Sequence, residues 1–364
     1  MPFKVGIIGA GWYGCHLASS LLSLGFEVTV FERRTRVLDE ASGNNQFRLH
    51  LGFHYARHHG TRQQSRDGFL RFIERYPDLS APVHSNIYAV PSNDSLIDFH
   101  TYKMIMASSG IDFSECSDTS DWLSDIDGAL LTAERVLMIS RARHFFSQRL
   151  SNVLQLGNEV KSITHDNSDA SINGERFDYI IDASWGKFTK GNADVFFEPT
   201  LLLYYETNEN APAITLVDGP LSSIYPTEDP NIFTLSNVTH TPLGNFSDPN
   251  GAQGALDSVR GSLVIEKRNL MEDQILKNVP RFRDVFRFAG AQLSMKTKLN
   301  GRADDRSCYV HQTGRLFSVM SGKIDTVFHA TERILSMIEA EHSQPEIYMA
   351  NSLREDIVMP ELTQ

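Results

Sequence analysis

Cysteine, positive charge and long apolar runs are all scarce in this chain of 364 residues. Its three cysteines, Cys15, Cys116 and Cys308, are too few and too scattered for a disulfide framework or a cysteine-rich metal site. Lys and Arg number 34 against 45 Asp and Glu, and the net charge of −11 argues against a general nucleic-acid binder. The longest apolar runs, such as the one around Leu201–Tyr205, fall far short of a membrane span. Met1 to Ile8 lacks the apolar stretch and cleavage site of a signal peptide, so a cytoplasmic protein is expected. Gly (24) and Pro (14) occur at ordinary levels, which leaves fibrous and disordered classes without support. The chain is 41% hydrophobic, enough at this length for a sizeable core in two domains or one elaborated one.

What is present begins at once. Val5-Gly6-Ile7-Ile8 reads as a buried strand, and Gly9-Ala10-Gly11-Trp12-Tyr13-Gly14 follows it. Leu17, Leu21, Leu22 and Leu24 recur at helical spacing until Gly25, and Glu27–Glu32 reads as a second strand ending in an acid. This is a βαβ unit with a dinucleotide fingerprint. Gly9 permits the tight turn, Gly11 admits a pyrophosphate, and Gly14 lets helix and strand pack closely. The helix N-terminus offers unpaired N–H groups to the phosphates, and Glu32 can accept from an adenosine ribose. The acid disfavours a 2′-phosphate, although Arg33 and Arg34 keep NADP open, and the motif alone does not separate NAD from FAD.

Ala41-Ser42-Gly43-Asn44-Asn45-Gln46 suits a loop that follows an extended cofactor, with Ser42, Asn44 and Asn45 as hydrogen-bonding candidates. Arg48-Leu49-His50-Leu51-Gly52-Phe53-His54-Tyr55 comes next, and residues 61–76 read as a helix. The block resembles the D-amino-acid oxidase and glycine oxidase superfamily of FAD-dependent oxidoreductases. It is especially similar to the L-2-hydroxyglutarate-oxidase-like branch, in which Gly-Asn-Asn-type and His-x-Gly-x-x-Tyr-type segments lie beside the flavin.

Later segments resemble the same superfamily in the same order. Strand-like Glu159–Ile163 places Val160 where a backbone meets the adenine in relatives. Phe177–Gly186 looks like the second dinucleotide motif, with Ala183 and Gly186 at its end and a departure at Ser184-Trp185. Gly314–Met320 reads as a strand, followed by Ser321-Gly322-Lys323-Ile324-Asp325 opening a helix, with Ser321 as its N-cap. A helix N-terminus there would favour negative charge on reduced flavin, which makes Gly322, Lys323 and Ile324 cofactor-binding candidates.

The resemblance implies a fold of the α/β class. A Rossmann-type, glutathione-reductase-like FAD domain in three pieces (1–76, 133–198 and 296–345) would carry an inserted mixed-sheet α+β substrate domain (77–132 and 199–295). Residues 346–364 read as a tail, and 242–254 as a surface loop. The inserts contain β-rich runs at 86–90, 201–205, 214–217, 223–225 and 232–235. Residues 136–139 read as a short strand and 143–154 as an amphipathic helix.

Substrate-site candidates follow. His54 and Tyr55 are placed near the flavin by the resemblance, as is His50. Four histidines at 50, 54, 58 and 59 suggest a metal, but no Cys or carboxylate accompanies them at ligand spacing, so none is expected. Lys296, Lys298, Arg302, Arg306 and Lys323 form a local positive excess, read as a solvated face or, together, as an anion pocket. Arg302 and Arg306 are the preferred anchors because relatives reach their substrate from this region. Tyr225 is either a pocket phenol or a core aromatic.

The expected activity is oxidation of a C–H bond beside an amine or hydroxyl of a small, anionic substrate, with FAD accepting hydride at N5. Alternatives are a flavoenzyme acting on a sugar or nucleotide-sugar in polysaccharide assembly, a nicotinamide-dependent dehydrogenase, and a non-catalytic nucleotide-binding sensor or scaffold.

Overall fold

A computed structural model describes residues 2–117, 119, 121–189, 193–301 and 305–342. Its first layer is built on the opening residues. Lys4–Ile8 (β1) leads through the glycine turn into Trp12–Ser23 (α1) and back into Glu27–Glu32 (β2). β1 and β2 pair in parallel, Val5 opposite Val28 and Ile7 opposite Val30. Six strands form this sheet in the order Tyr309–Thr313, Leu316–Met320, Tyr179–Asp182, β1, β2, Leu154–Leu156. All neighbours are parallel except the first two, which form an antiparallel pair. Such a sheet must be covered on both faces, which explains the nearly unbroken apolar content of β1 and of Tyr179–Ile181. α1 and the C-terminal helix Val327–His342 pack together over one face, with Leu17, Leu21, Ile334 and Ile338 buried between them.

The second layer is an eight-stranded mixed sheet, ordered Arg287–Leu299, Val195–Glu206, Ile232–Asn237, Ser222–Pro226, Ala213–Leu216, Asn86–Pro91, Ile126–Leu131, Ser114–Glu115. Its two faces differ in chemistry. Ile87, Ala89, Ile214, Leu216 and Ile224 share an apolar cluster with Met271 and Ile275 of helix Gly261–Leu276. The intervening positions are Tyr88, Thr215, Ser223 and Tyr225, and they carry hydroxyls. Side chains alternate across a strand, so these hydroxyls share the opposite face.

Several elements depart from the sequence reading. The helix expected at 143–154 runs Ile139–Arg149, and Leu154 belongs to a strand. Val160 lies in an irregular stretch, and the strand there is Ile163–His165. The helix expected to start at Ser321 starts at Val327, because the Ser321 hydroxyl instead accepts from Lys323 N (3.2 Å) and ties a separate turn. Pro249–Asp257 is helical where a loop was expected, with Asp248 accepting from Asn250 N and Gly251 N as its cap. No described helix is long and apolar enough to cross a membrane.

Candidate active site

The nucleotide end of the site is shaped by absent side chains. Gly9 has φ +98°, and its N–H bonds Phe31 O (2.8 Å), which draws the turn onto β2. A Cβ on Gly14 would stand 1.8 Å from Gly9 O, so only glycine lets α1 start this close to the turn. No acidic residue lies in the first turn of α1 and no side chain caps Gly11, so the helix N-terminus is left to a ligand except at Trp12 N, which meets Ser42 Oγ at 3.1 Å. A Cβ on Gly11 would fall 2.8 Å from that same Ser42 Oγ. Glu32 is 8% exposed; one oxygen accepts from Ala10 N (2.7 Å) and the other from Arg34 N (2.8 Å). The carboxylate is thereby aimed at the turn, with lone pairs left for ribose hydroxyls. Bare helix end, steric cradle and braced acid fit an FAD pyrophosphate and adenosine.

The neighbouring loop behaves differently from expectation. Asn44 Nδ2 donates to Asp39 O and Glu40 O, and Asn45 Nδ2 donates to Ala41 O, so both amides brace their own loop. Arg33 turns to Glu40 (2.7 Å), which also holds Arg34 and Lys187 (2.8 Å each). Val160 is buried against Ile8 and Phe31 beneath the adenosine end of the sheet. Ala183 N bonds Ile8 O (3.0 Å), and a Cβ on Gly9 would come within 3.2 Å of Ala183 O. Trp185 (φ +60°) and Gly186 (φ +73°) then turn the chain sharply beside Met320.

The reactive end gathers around the Ser321–Thr326 turn. The Lys323 ammonium nitrogen lies 2.9 Å from His50 Nε2 and 4.5 Å from the centre of the Tyr55 ring. His54 packs on Tyr55, ring centres 5.2 Å apart, and stands 5.8 Å from His50. The His54 side chain is exposed to solvent. Burial, with the charges of Lys323 and Arg48, holds His50 well below the ordinary histidine range. Burial likewise lowers His54, helped by Lys323. Burial also lowers Lys323 and raises its neighbour Asp325, whose carboxylate is fully enclosed. Three nitrogen groups biased toward their neutral, proton-accepting forms thus lie close together.

Behind them lies a network that sequence reasoning missed. Residues Arg48–Leu49 pair with Arg135–Leu137 in a small antiparallel sheet, Arg48 opposite Val136, which brings Arg48 and Glu134 together. Arg48 is 5% exposed; it donates to Tyr88 OH (2.8 Å) and Ser223 Oγ (2.7 Å) and lies 4.0 Å from the centre of the Tyr225 ring. Tyr88 OH donates to Glu134 Oε2 (2.6 Å). Tyr225 is fully buried and burial pushes its phenol up, so it acts as a platform for Arg48. The available signal was the hydroxyl-bearing face of the large sheet, at Tyr88, Ser223 and Tyr225.

The basic cluster divides. Lys298 pairs with Glu198 (2.6 Å), whose backbone faces Lys296 across the strand pair. Burial beside Lys298 lowers Lys296 to about 8. Arg306 stays with its own loop: its backbone N–H bonds Thr61 Oγ1 (3.0 Å), its guanidinium bonds Asp305 O (2.9 Å), and its side chain lies against Gly322. With Lys298, Trp185 and Tyr309 it lines a recess beyond that glycine, in which His50, His54 and Lys323 take no part. Arg302 lies outside the described residues. Ile324 is half-buried against the core of the first layer. His58 caps α2 (His59–Arg75) by accepting from Thr61 N, and His59 contacts Arg62, so the four histidines separate into two places. Among the described residues no group of His, Cys, Asp and Glu has the geometry to hold a metal ion.

This fold and site define an FAD-dependent oxidoreductase. Residues 4–49 match the pyridine nucleotide-disulphide oxidoreductase family model. The chain belongs to the family of the FAD-dependent monooxygenase FPY4 of Fusarium mangiferae, to which it is 55% identical over 93% of its own length and 92% of that protein. In fold it is similar to glycine oxidase from Geobacillus kaustophilus, with a TM-score of 0.72, 13% identity, and coverage of 93% of this chain and 95% of that one. It is similar as well to an FAD-bound L-alpha-glycerophosphate oxidase from Mycoplasma pneumoniae, with a TM-score of 0.71, 13% identity, and coverage of 92% and 93%.

Proposed function

We propose that the protein oxidises a C–H bond beside a hydroxyl or amine of a small anionic substrate. Bound FAD supplies the hydride acceptor at N5, and the protein supplies orientation, water exclusion and a proton acceptor. The observation that carries this reading is the close approach of Lys323 Nζ to His50 Nε2 (2.9 Å), with the His54 and Tyr55 rings beside them, at the turn that follows Gly322. Lys323 Nζ takes the proton from the substrate hydroxyl or amine, becoming an ammonium whose hydrogen bond to His50 Nε2 is already formed. Arg48 behind this cluster, whose charge acts on both His50 and Lys323, supplies the positive field that favours an anion. The likeness of residues 43–55 to L-2-hydroxyglutarate oxidases favours a hydroxy acid over an amine. The six-stranded sheet takes all its strands from the pieces 1–76, 133–198 and 296–345, which supports an FAD-binding domain there, while the ends 195–198 and 296–299 run into the eight-stranded sheet. The eight-stranded sheet supports the intervening substrate domain.

Anaerobic mixing of the yellow holoenzyme with hydroxy acids, amino acids and sugars tests this. Bleaching by a hydroxy acid or amine alone is the expected result. The name of the Fusarium relative favours a second reading, monooxygenation. That reading predicts no anaerobic bleaching by substrate, reduction by an added nicotinamide, and incorporation of labelled dioxygen into product.

A further inference from the structure

We propose that Glu134 is a positioning residue that fixes His50 as the Nδ1–H tautomer and so turns the Nε2 lone pair toward Lys323. The inference rests on the proton-accepting reading of His50 and Lys323 and names the group that orients them.

Glu134 is itself held in place. It is 1% exposed, its Oε1 accepts from Leu51 N (2.8 Å), and its Oε2 accepts from Tyr88 OH (2.6 Å). Both oxygens thus act as acceptors of groups that can only approach as donors in this geometry. The backbone that carries Leu51 also carries His50, so the carboxylate and the imidazole are locked in one frame. Oε1 stands 3.6 Å from His50 Nδ1, beyond a formed hydrogen bond but well inside the range of strong electrostatic bias. His50 Nδ1 is enclosed and has no hydrogen-bond partner.

Only one tautomer satisfies both sides of the ring. With the proton on Nε2, the Nδ1 lone pair would face a buried carboxylate, and Nε2–H would need a lone pair on Lys323. With the proton on Nδ1, an N–H faces the carboxylate and Nε2 accepts from Lys323, whether that amine is neutral or protonated. The hydrogen bond at one imidazole nitrogen sets the chemistry of the other. Glu134 is too enclosed to touch substrate, so its influence passes through His50. Tyr88 and Arg48 extend the same chain, which ties the imidazole to the hydroxyl face of the large sheet.

Two-bond proton–nitrogen correlation spectra of substrate-free holoenzyme labelled with nitrogen-15 histidine read the tautomer directly, with His50→Gln identifying the resonance. Wild type is expected to show His50 as Nδ1–H. Glu134→Gln, whose amide oxygen can keep the Leu51 contact, should retain that pattern, whereas Glu134→Leu should lose it. In Glu134→Leu, bleaching by substrate should slow about 10- to 100-fold, the usual effect of removing an outer-shell partner. A wild-type His50 in the Nε2–H form, or an Nδ1–H pattern that survives in Glu134→Leu, overturns the proposal. If Glu134→Leu does not retain FAD, the wild-type and Glu134→Gln spectra decide, and loss of the Nδ1–H pattern in Glu134→Gln counts against it. The spectra need no substrate, so they stand even if no hydroxy acid or amine reduces the flavin.

Discussion

Lys323 carries the heaviest chemical demand of any residue in the site. An ordinary lysine titrates near ~10.4 and would be an ammonium at neutral pH, unable to accept a proton. Burial lowers this one, opposed by Asp325 and aided by Arg48. The neutral amine is the accepting form, so anaerobic bleaching should rise with pH through the lowered Lys323 value and be substantial well below the ordinary lysine range. Lys323→Met should abolish that rise and slow bleaching at every pH, by about 10²- to 10⁴-fold for a lost general base. A pH profile left unchanged by the substitution would remove Lys323 from the mechanism. At this scale the sequence was informative where a residue's type is forced by geometry, as at Gly9 and Gly14. It said less where a side chain had a choice of partners. The Asn44 and Asn45 amides donate within their own loop, and Arg33 finds Glu40 seven residues on. Arg48 stands only at the start of a motif and Glu134 lies in none; a strand pairing between residues 86 and 88 apart in the chain brings them close.

Helices and turns set the position of that lysine. α2 packs against the turn through Gly68, where a Cβ would lie 1.8 Å from Asp325 O. Gly68→Ala gains about 1 kcal/mol in helix propensity, but the clash is with backbone, which no rotamer relieves. An overpacking cost near the upper end of the usual range, about 3 kcal/mol, should win. A net loss of about 2 kcal/mol is therefore expected, read from the urea midpoint, together with weakened FAD retention as Lys323 shifts. A stabilised variant would show that the turn can move freely. Elements with a strong period were legible, as β1, α1, β2 and most strands of the large sheet show. Boundaries were not. The Ser321 hydroxyl serves either a helix cap or a local turn with similar geometry, and only the surrounding packing decides between them. Asp248 caps a helix opened by Pro249, but the Gly- and Asn-rich residues that follow made this stretch read as a loop.

For the whole molecule, two sheets are built from stretches that interleave along the chain. A ligand that binds only the folded form adds RT ln(1 + [L]/Kd) to stability, about 2.7 kcal/mol at a hundredfold excess over Kd. Removing FAD should lower the melting temperature, and adding it back should restore the transition in a concentration-dependent way. A melting temperature indifferent to FAD would contradict the cradle at α1. The sequence alone determined the FAD-binding half, because a glycine turn, an amphipathic helix and a terminal acid are local requirements met by adjacent residues. It determined the alternating strands of the second half for the same reason, since side-chain direction follows the backbone period. Only the tertiary structure decided which groups meet around Lys323. The assembly of His50, Glu134, Tyr88, Arg48 and Lys323 depends on long-range strand pairing and on burial, and burial is what biases the site toward neutral bases.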